Sequence, residues 1–113
     1  MPNFLALYVG TPSDGPPPDM SPDALKAGME AWGGWMQEHA GSVVFQGGPC
    51  GRTKSVSRSG VADIRNNVGG FVIVKADSAE AAAKMFEGHP HFSIFPGEAV
   101  EVMPVLDMPT MPD

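Results

Sequence analysis

The segment GFVIVKA, residues 70–76, is apolar at nearly every position and is the clearest strand signal in the chain. The opening segment NFLALYVG, residues 3–10, has the same character. A strand with one solvated face alternates between apolar and polar residues, whereas a continuously apolar strand is buried on both faces. Both segments are therefore predicted to occupy the centre of a sheet.

The first helix is predicted to begin at SPD, residues 21–23, because Ser can cap a free amide and Pro fits the first helical position. Apolar residues then recur at helical spacing and form one stripe: Leu25, Met29, Trp32 and Met36. This phase places Trp32 in the core and leaves Trp35 for a cleft or a subunit interface. The helix is expected to end near Gly41.

The second helix is predicted over SAEAAAKMFE, residues 78–87. Asp77 and Glu80 match a capping box with Asp77 as the N-cap, and Gly88 provides the conformational freedom to end the helix. Shorter strands are expected at SVVFQ (42–46), TKSVSRS (53–59) and AVEVMPV (99–105).

The predicted order is strand, helix, strand, strand, helix, strand, which indicates an α+β fold of the ferredoxin-like split βαβ type. Its antiparallel sheet has four strands, or slightly more, and both helices cover one face. We expect residues 1–113 to form a single domain with a proline-rich loop at 10–20 and a tail at 106–113. The second apolar face of the sheet has no helix to cover it, so we expect a homodimer.

Composition narrows the function classes. The formal net charge of -6 provides no cationic footprint, which argues against nucleic-acid binding. No run approaches the roughly 20 apolar residues of a membrane span, and no basic region precedes the first apolar run. The single cysteine, Cys50, excludes an internal disulfide. We therefore expect a cytoplasmic protein whose partners are a second copy or a small organic molecule.

Several segments in this order resemble the YCII-related family and its subgroup named for a DGPF motif. They are FLALYVG (4–10), AWGGWMQEHAG (31–41), GGP (47–49), VGGFVIVKADSAEAAAKM (68–85) and EVMPV (101–105), the last being similar to the family's EVRPV ending. The resemblance implies a dimeric α+β barrel with a cleft between helices, sheet and partner.

The sequence departs from the family's pattern at three places. Residues 59–64 read SGVADI where the subgroup has DGPF, and Met103 replaces the arginine of the ending. The histidine that enzyme-like members are thought to use early in the first helix is replaced near Ala31 and Trp32. The resemblance thus implies the fold, while the presumed chemistry of the family does not follow automatically.

The stretch EGHPHFSIFPGE, residues 87–98, contains two of the three histidines. The favoured interpretation is a helix end whose histidines face water; a role in a pocket is the alternative, and a metal site with Glu87 or Glu98 has the least support. Pro90 favours an extended segment in which the two side chains point in opposite directions. We then expect His91, followed by Phe92, to face the cleft and His89 to lie beside solvated Glu87.

Other candidates are weaker. Arg52 could bind a carboxylate, Asp63 could orient a histidine, and Trp35 could line the cleft, whereas Cys50 is expected to be inert. Two functions stay open. The first is a small-molecule-binding or accessory domain, and the alternative is a cofactor-independent acid/base enzyme of lyase, isomerase or dehydrochlorinase type with His91 as its base.

Overall fold

The computed structural model describes residues 1–10 and 20–109, so most of the predicted proline-rich loop and the end of the predicted tail lie outside the described residues. The elements are β1 (Asn3–Val9), α1 (Pro22–Glu38), β2 (Val43–Pro49), β3 (Thr53–Ser57), β4 (Gly60–Ile64), β5 (Val68–Lys75), α2 (Ala79–Lys84), α3 (Pro90–Ser93) and β6 (Ala99–Pro104).

The main sheet has four antiparallel strands in the order β2-β5-β1-β6. The two continuously apolar strands, β1 and β5, are central, as predicted. Their pairing sets Leu5 opposite Ile73 and Ala6 opposite Val72, and the register shifts once, between Tyr8 and Val9. The α+β class and the four-stranded sheet are confirmed.

The two edges of the main sheet differ in regularity. At one edge β2 pairs with β5 through two shifts of register, which lie between Val43 and Phe45 and between Phe45 and Gly48. At the other edge β6 follows β1 without interruption from Phe4 to Val9. An irregular edge pairs poorly with further strands.

Residues 53–64 form a second, two-stranded sheet, which we call the hairpin arm. The sequence predicted one exposed strand over 53–59, but the chain turns back at residues 58–59 and returns as β4. Gly60 follows this turn with a φ of 115°, a conformation that other residues rarely adopt. The arm is inserted between β2 and β5, at the end of the sheet where β1 finishes.

One face of the main sheet carries the core. Alternate residues of β1 and β5 pack there against both helices, which confirms that the helices share one face. The buried apolar residues are Phe4, Ala6, Tyr8, Trp35, Val72, Val74, Ala76, Ala82 and Phe86.

The opposite face, which we call the open sheet face, is also apolar. One row of apolar residues crosses all four strands and consists of Phe45, Ile73, Leu5 and Met103. Leu7 and Phe71 lie beside this row. The buried residues of α1 and α2 belong to the core side, so no helix of the described residues packs on this second face. Phe45 is accordingly 55% exposed.

The predicted phase of α1 is wrong. Its buried residues are Gly28 and Trp35, while Met29 is 65% exposed and Trp32 is only half-buried. The apolar pattern predicted the wrong buried face because that face includes Gly28, which carries no side chain. The missing side chain allows Phe95 and Ile94 to lie directly on the helix. The expectation that Trp32 is better protected than Trp35 is therefore reversed.

The cap of α2 lies one residue later than predicted. The hydroxyl of Ser78, rather than the carboxylate of Asp77, accepts the amide of Ala81 at 3.1 Å. Regular helix ends at Lys84, and a turn leads to Gly88, whose φ of 70° agrees with its predicted role in ending the segment.

Two interior glycines of α1 should respond oppositely to alanine. A methyl group at Gly28 would lie 2.6 Å from Cζ of Phe95, so we expect Gly28→Ala to lower the free energy of unfolding by about 1–3 kcal/mol. Gly33 faces open space, so Gly33→Ala should raise the free energy of unfolding by about 0.5–1 kcal/mol. Urea unfolding of both variants measures this; equal effects would contradict the close packing at Gly28.

Candidate functional site

The histidine segment forms a short helix, α3, and is not extended. Its N-cap is His89, whose Nδ1 accepts the amide of His91 at 2.9 Å. Pro90 occupies the first helical position, where its missing N–H costs nothing. The prediction treated Pro90 as a barrier to the preceding helix and overlooked that it also favours the start of a new one.

Both histidines are buried. His89 is 0% exposed and His91 is 1% exposed, so the interpretation as a water-facing helix end is wrong. The expectation that only His91 turns inward is also wrong. The ring of His89 packs among Tyr8, Trp32, Trp35 and Phe86, with ring centroids 4.6–5.8 Å away.

The hydrogen bonds define the tautomers. A carbonyl can only accept, so the Nε2 of His91 carries the proton that it donates to the carbonyl of Val9 at 2.8 Å. The Nδ1 of His89 accepts an amide, so its neutral ring carries the proton on Nε2, which lies 3.3 Å from the hydroxyl of Tyr8. Both ring nitrogens of His89 are thus bonded to the protein.

The pair formed by Tyr8 and His89 is uncharged at neutral pH. Burial, and after it the electrostatic effects of His91 and His39, lower the pKa of His89 to about 4. Burial also raises the pKa of the Tyr8 hydroxyl well above its usual range. The cluster therefore presents neutral hydrogen-bonding groups within an apolar surround.

Aromatic rings form one side of the cluster. The ring of Trp32 lies 4.6 Å from that of Tyr8 and 5.7 Å from that of Phe95. Trp32 and Phe95 are both half-buried, so each keeps part of its surface in contact with solvent. We call these two residues the aromatic rim.

Trp35, predicted to line a cleft, is part of the core. Its ring stacks on Phe86 and on His39, and its Nε1 donates to the carbonyl of Met85 at 3.0 Å. The side chain that the sequence assigned to the core, Trp32, occupies the edge position instead. This exchange follows from the phase of α1.

Three residues of the cluster were missed by the sequence analysis: Tyr8, Phe95 and Gly97. Gly97 donates its amide to the carbonyl of His91, and a Cβ at this position would overlap the imidazole ring. Tyr8 had a usable signal, because it is the one tyrosine of the chain and stands in a buried strand, where its hydroxyl requires a partner.

Of the remaining candidates, only Phe92 has a contact with a histidine among the interactions of the described residues. Asp63 is exposed in the hairpin arm and forms an ion pair with Lys54. Arg52 is exposed in the link to that arm, and Cys50 is half-buried there. Phe92 is 39% exposed, with its ring centroid 6.1 Å from that of His91. Within residues 1–10 and 20–109, no three potential ligands are grouped to hold a metal ion.

Comparison with known proteins identifies the class. The model of the YCII-related domain matches residues 7–109, so the chain belongs to this family.

No helix among the described residues has the length and apolarity to cross a membrane. The comparison with curated proteins gave no match.

A solved structure shares the fold. It is the 5-chloro-2-hydroxyhydroquinone dehydrochlorinase of Burkholderia phenoliruptrix AC1100, in complex with 2,5-dihydroxybenzoquinone. The TM-score is 0.51 at 17% sequence identity, over 89% of this chain and 90% of that one. At this identity the likeness establishes the fold alone.

The burial of His89 predicts a specific acid sensitivity. The pKa of His89 is near 6.5 in the unfolded chain and about 4 in the folded chain. The unfolded state therefore binds more protons than the folded state as the pH falls from 6.5 to 4. The free energy of unfolding is therefore highest above about pH 6.5 and falls by about 3 kcal/mol as the pH is lowered towards 4.

The matched variant is His89→Asn, whose Oδ1 keeps an acceptor for the amide of His91 but does not titrate. Urea unfolding between pH 4 and 7 should show a shallower loss of stability for His89→Asn than for the wild type. Parallel curves would contradict the assigned burial of His89.

Proposed function

We propose that the chain is a homodimeric small-molecule-binding domain whose ligand is a hydroxylated aromatic ring, held at the aromatic rim beside His91. The observation that carries this proposal is the division of roles between the two histidines. His89 uses both ring nitrogens within the protein, whereas His91 uses only Nε2.

The Nδ1 of His91 supplies a hydrogen-bond acceptor. With the proton on Nε2, the Nδ1 carries a lone pair, and no described residue donates to it. No fully buried polar side-chain atom among the described residues lacks a partner, so this nitrogen belongs to the small accessible part of His91. A ligand hydroxyl donates to such a nitrogen.

The aromatic rim supplies the apolar contact. Trp32 and Phe95 are half-buried neighbours with their planes inclined by 69°, so a planar ring would stack on one and meet the edge of the other. Small-molecule sites typically combine such apolar walls with a few placed polar groups. The dehydrochlorinase that shares the fold binds 2,5-dihydroxybenzoquinone, a hydroxylated quinone ring, and that chemistry fits this combination.

A cofactor-independent acid/base enzyme is the second candidate. It is favoured by the dehydrochlorinase activity of the structural relative and by the unengaged Nδ1 of His91, which is a base in the neutral ring. A catalytic histidine is normally oriented by a further polar partner, and the Val9 carbonyl can serve as that partner here. The carboxylate predicted to assist, Asp63, pairs instead with Lys54 in the hairpin arm, so we favour binding.

The open sheet face supports the proposed homodimer. Its central row of four apolar side chains spans every strand of the main sheet. A contiguous apolar face of this size marks an interaction site, and two copies related by a two-fold axis would each cover the other. The single cysteine fits a reducing compartment, and we propose the cytoplasm.

The ligand proposal is tested with hydroquinone as the probe, followed by ¹H–¹⁵N NMR of the imidazole nitrogens. We expect the His91 Nδ1 resonance to shift and His91→Gln to weaken binding at least about tenfold, or about 1.4 kcal/mol. Gln keeps an N–H donor for the Val9 carbonyl but removes the aromatic acceptor. Recovery of unchanged hydroquinone supports binding, and conversion that requires His91 supports the second candidate.

Two controls accompany this experiment. Phe92→Ala changes an exposed neighbour of His91 and should leave the affinity unchanged, and p-xylene, which lacks the hydroxyls, should bind more weakly than hydroquinone. Failure of the wild type to bind at millimolar hydroquinone, or equal loss in Phe92→Ala, would contradict the proposed site.

The dimer is tested by sedimentation at micromolar concentration. We expect the wild type at twice 11.9 kDa and Ile73→Glu as a folded monomer, because the new carboxylate would be desolvated at the centre of the open sheet face. Met29→Glu is the matched control, since Met29 is exposed on the helix side. A monomeric wild type would refute the dimer.

A further inference from the structure

The hairpin arm has no apolar support within the described chain. Every residue of β4 is exposed, and the element contacts of β3 and β4 are dominated by their own pairing. An isolated two-stranded hairpin is marginally stable in water. Burial of the arm against another molecule would account for the regular pairing over all five positions of each strand.

The two faces of the arm differ. One face presents Val56 directly opposite Val61, 77% and 69% exposed, beside the ion pair of Lys54 with Asp63. Neighbouring residues in the strands point to the other face, and there Thr53 and Ser55 are half-buried. The valine pair thus points away from the face of the arm that is partly buried.

The footprint of the open sheet face alone is at the low end for a stable dimer. Four strands of about seven residues cover about 450 Å², so two faces together bury about 900 Å². Stable interfaces bury about 1,200–2,000 Å² in total. One face of an arm of this size adds about 160 Å², and two arms with the surfaces that they cover bring the total to about 1,500 Å².

The charges also suit a second copy. The chain has a formal net charge of -6, which opposes self-association in general. The open sheet face carries Lys75 and Glu101, and the valine face of the arm carries Lys54 and Asp63, so each of these surfaces is balanced.

We infer that the hairpin arm of each copy packs its valine pair, Val56 and Val61, against the other copy, as an extension of the interface formed by the open sheet faces. This inference rests on the proposed homodimer. The arm is inserted at the end of the sheet where β1 finishes, and its contacts are dominated by its own strand pairing, so its valine face is available to a facing copy. The association would then order the arm, and the arm would complete the interface.

The test combines sedimentation with hydrogen exchange on the intact chain. Val56→Thr with Val61→Thr keeps the β-branched shape and replaces one methyl group of each valine by a hydroxyl, and we expect the dimer dissociation constant to rise at least about tenfold. Met29→Thr is the control and should leave it unchanged. In the wild type, amide protection of residues 53–64 should fall on dilution below the dissociation constant.

The outcomes are distinguishable. A wild-type dimer whose dissociation constant is unchanged by the paired threonines, with arm amides that exchange rapidly even when fully dimeric, overturns the inference and leaves the dimer intact. A wild type that is monomeric at all concentrations overturns the dimer itself and this inference with it. The ligand proposal is measured separately with hydroquinone and is untouched by either result.

Discussion

The antiparallel pairing of β1 with β5 is the constraint on which the rest of the molecule depends. It brings together the two most apolar segments and directs their alternate side chains to two different faces. The Val9 carbonyl, at the end of β1, accepts both the His91 Nε2 and the amide of Glu98, which directly precedes β6. The end of one central strand thus provides the anchor for the histidine segment.

The histidine segment shows how a core accommodates polar groups. His89 replaces a backbone acceptor at the start of α3 and at the same time meets the hydroxyl of Tyr8. Burying imidazole without such partners would cost several kilocalories per mole. Because these contacts use the atoms of His89 completely, His91 is the histidine with an atom left to meet something else.

The strands and helices could be predicted because periodicity is a local property, and burial on both faces of residues 3–10 and 70–76 is visible in the sequence itself. The site was harder, for physical reasons. Pro90 can end one helix or begin another, and only the surrounding packing selects between them. The phase of α1 depended on Gly28, whose burial arises from its contact with Phe95, a residue far away in sequence. The hairpin arm depended on a glycine conformation that a weakly alternating segment does not reveal.

The unequal edges of the main sheet have a consequence for how this fold could polymerise. Growth of a continuous sheet requires that every subunit offer two strand edges able to accept a neighbour. The shifts of register along β2 make one edge poorly suited to pair with a further strand, while the edge formed by β6 is regular. A main sheet with a single competent edge ends any such stack at two members, so this sheet is protected against edge-to-edge growth even at concentrations where copies meet often.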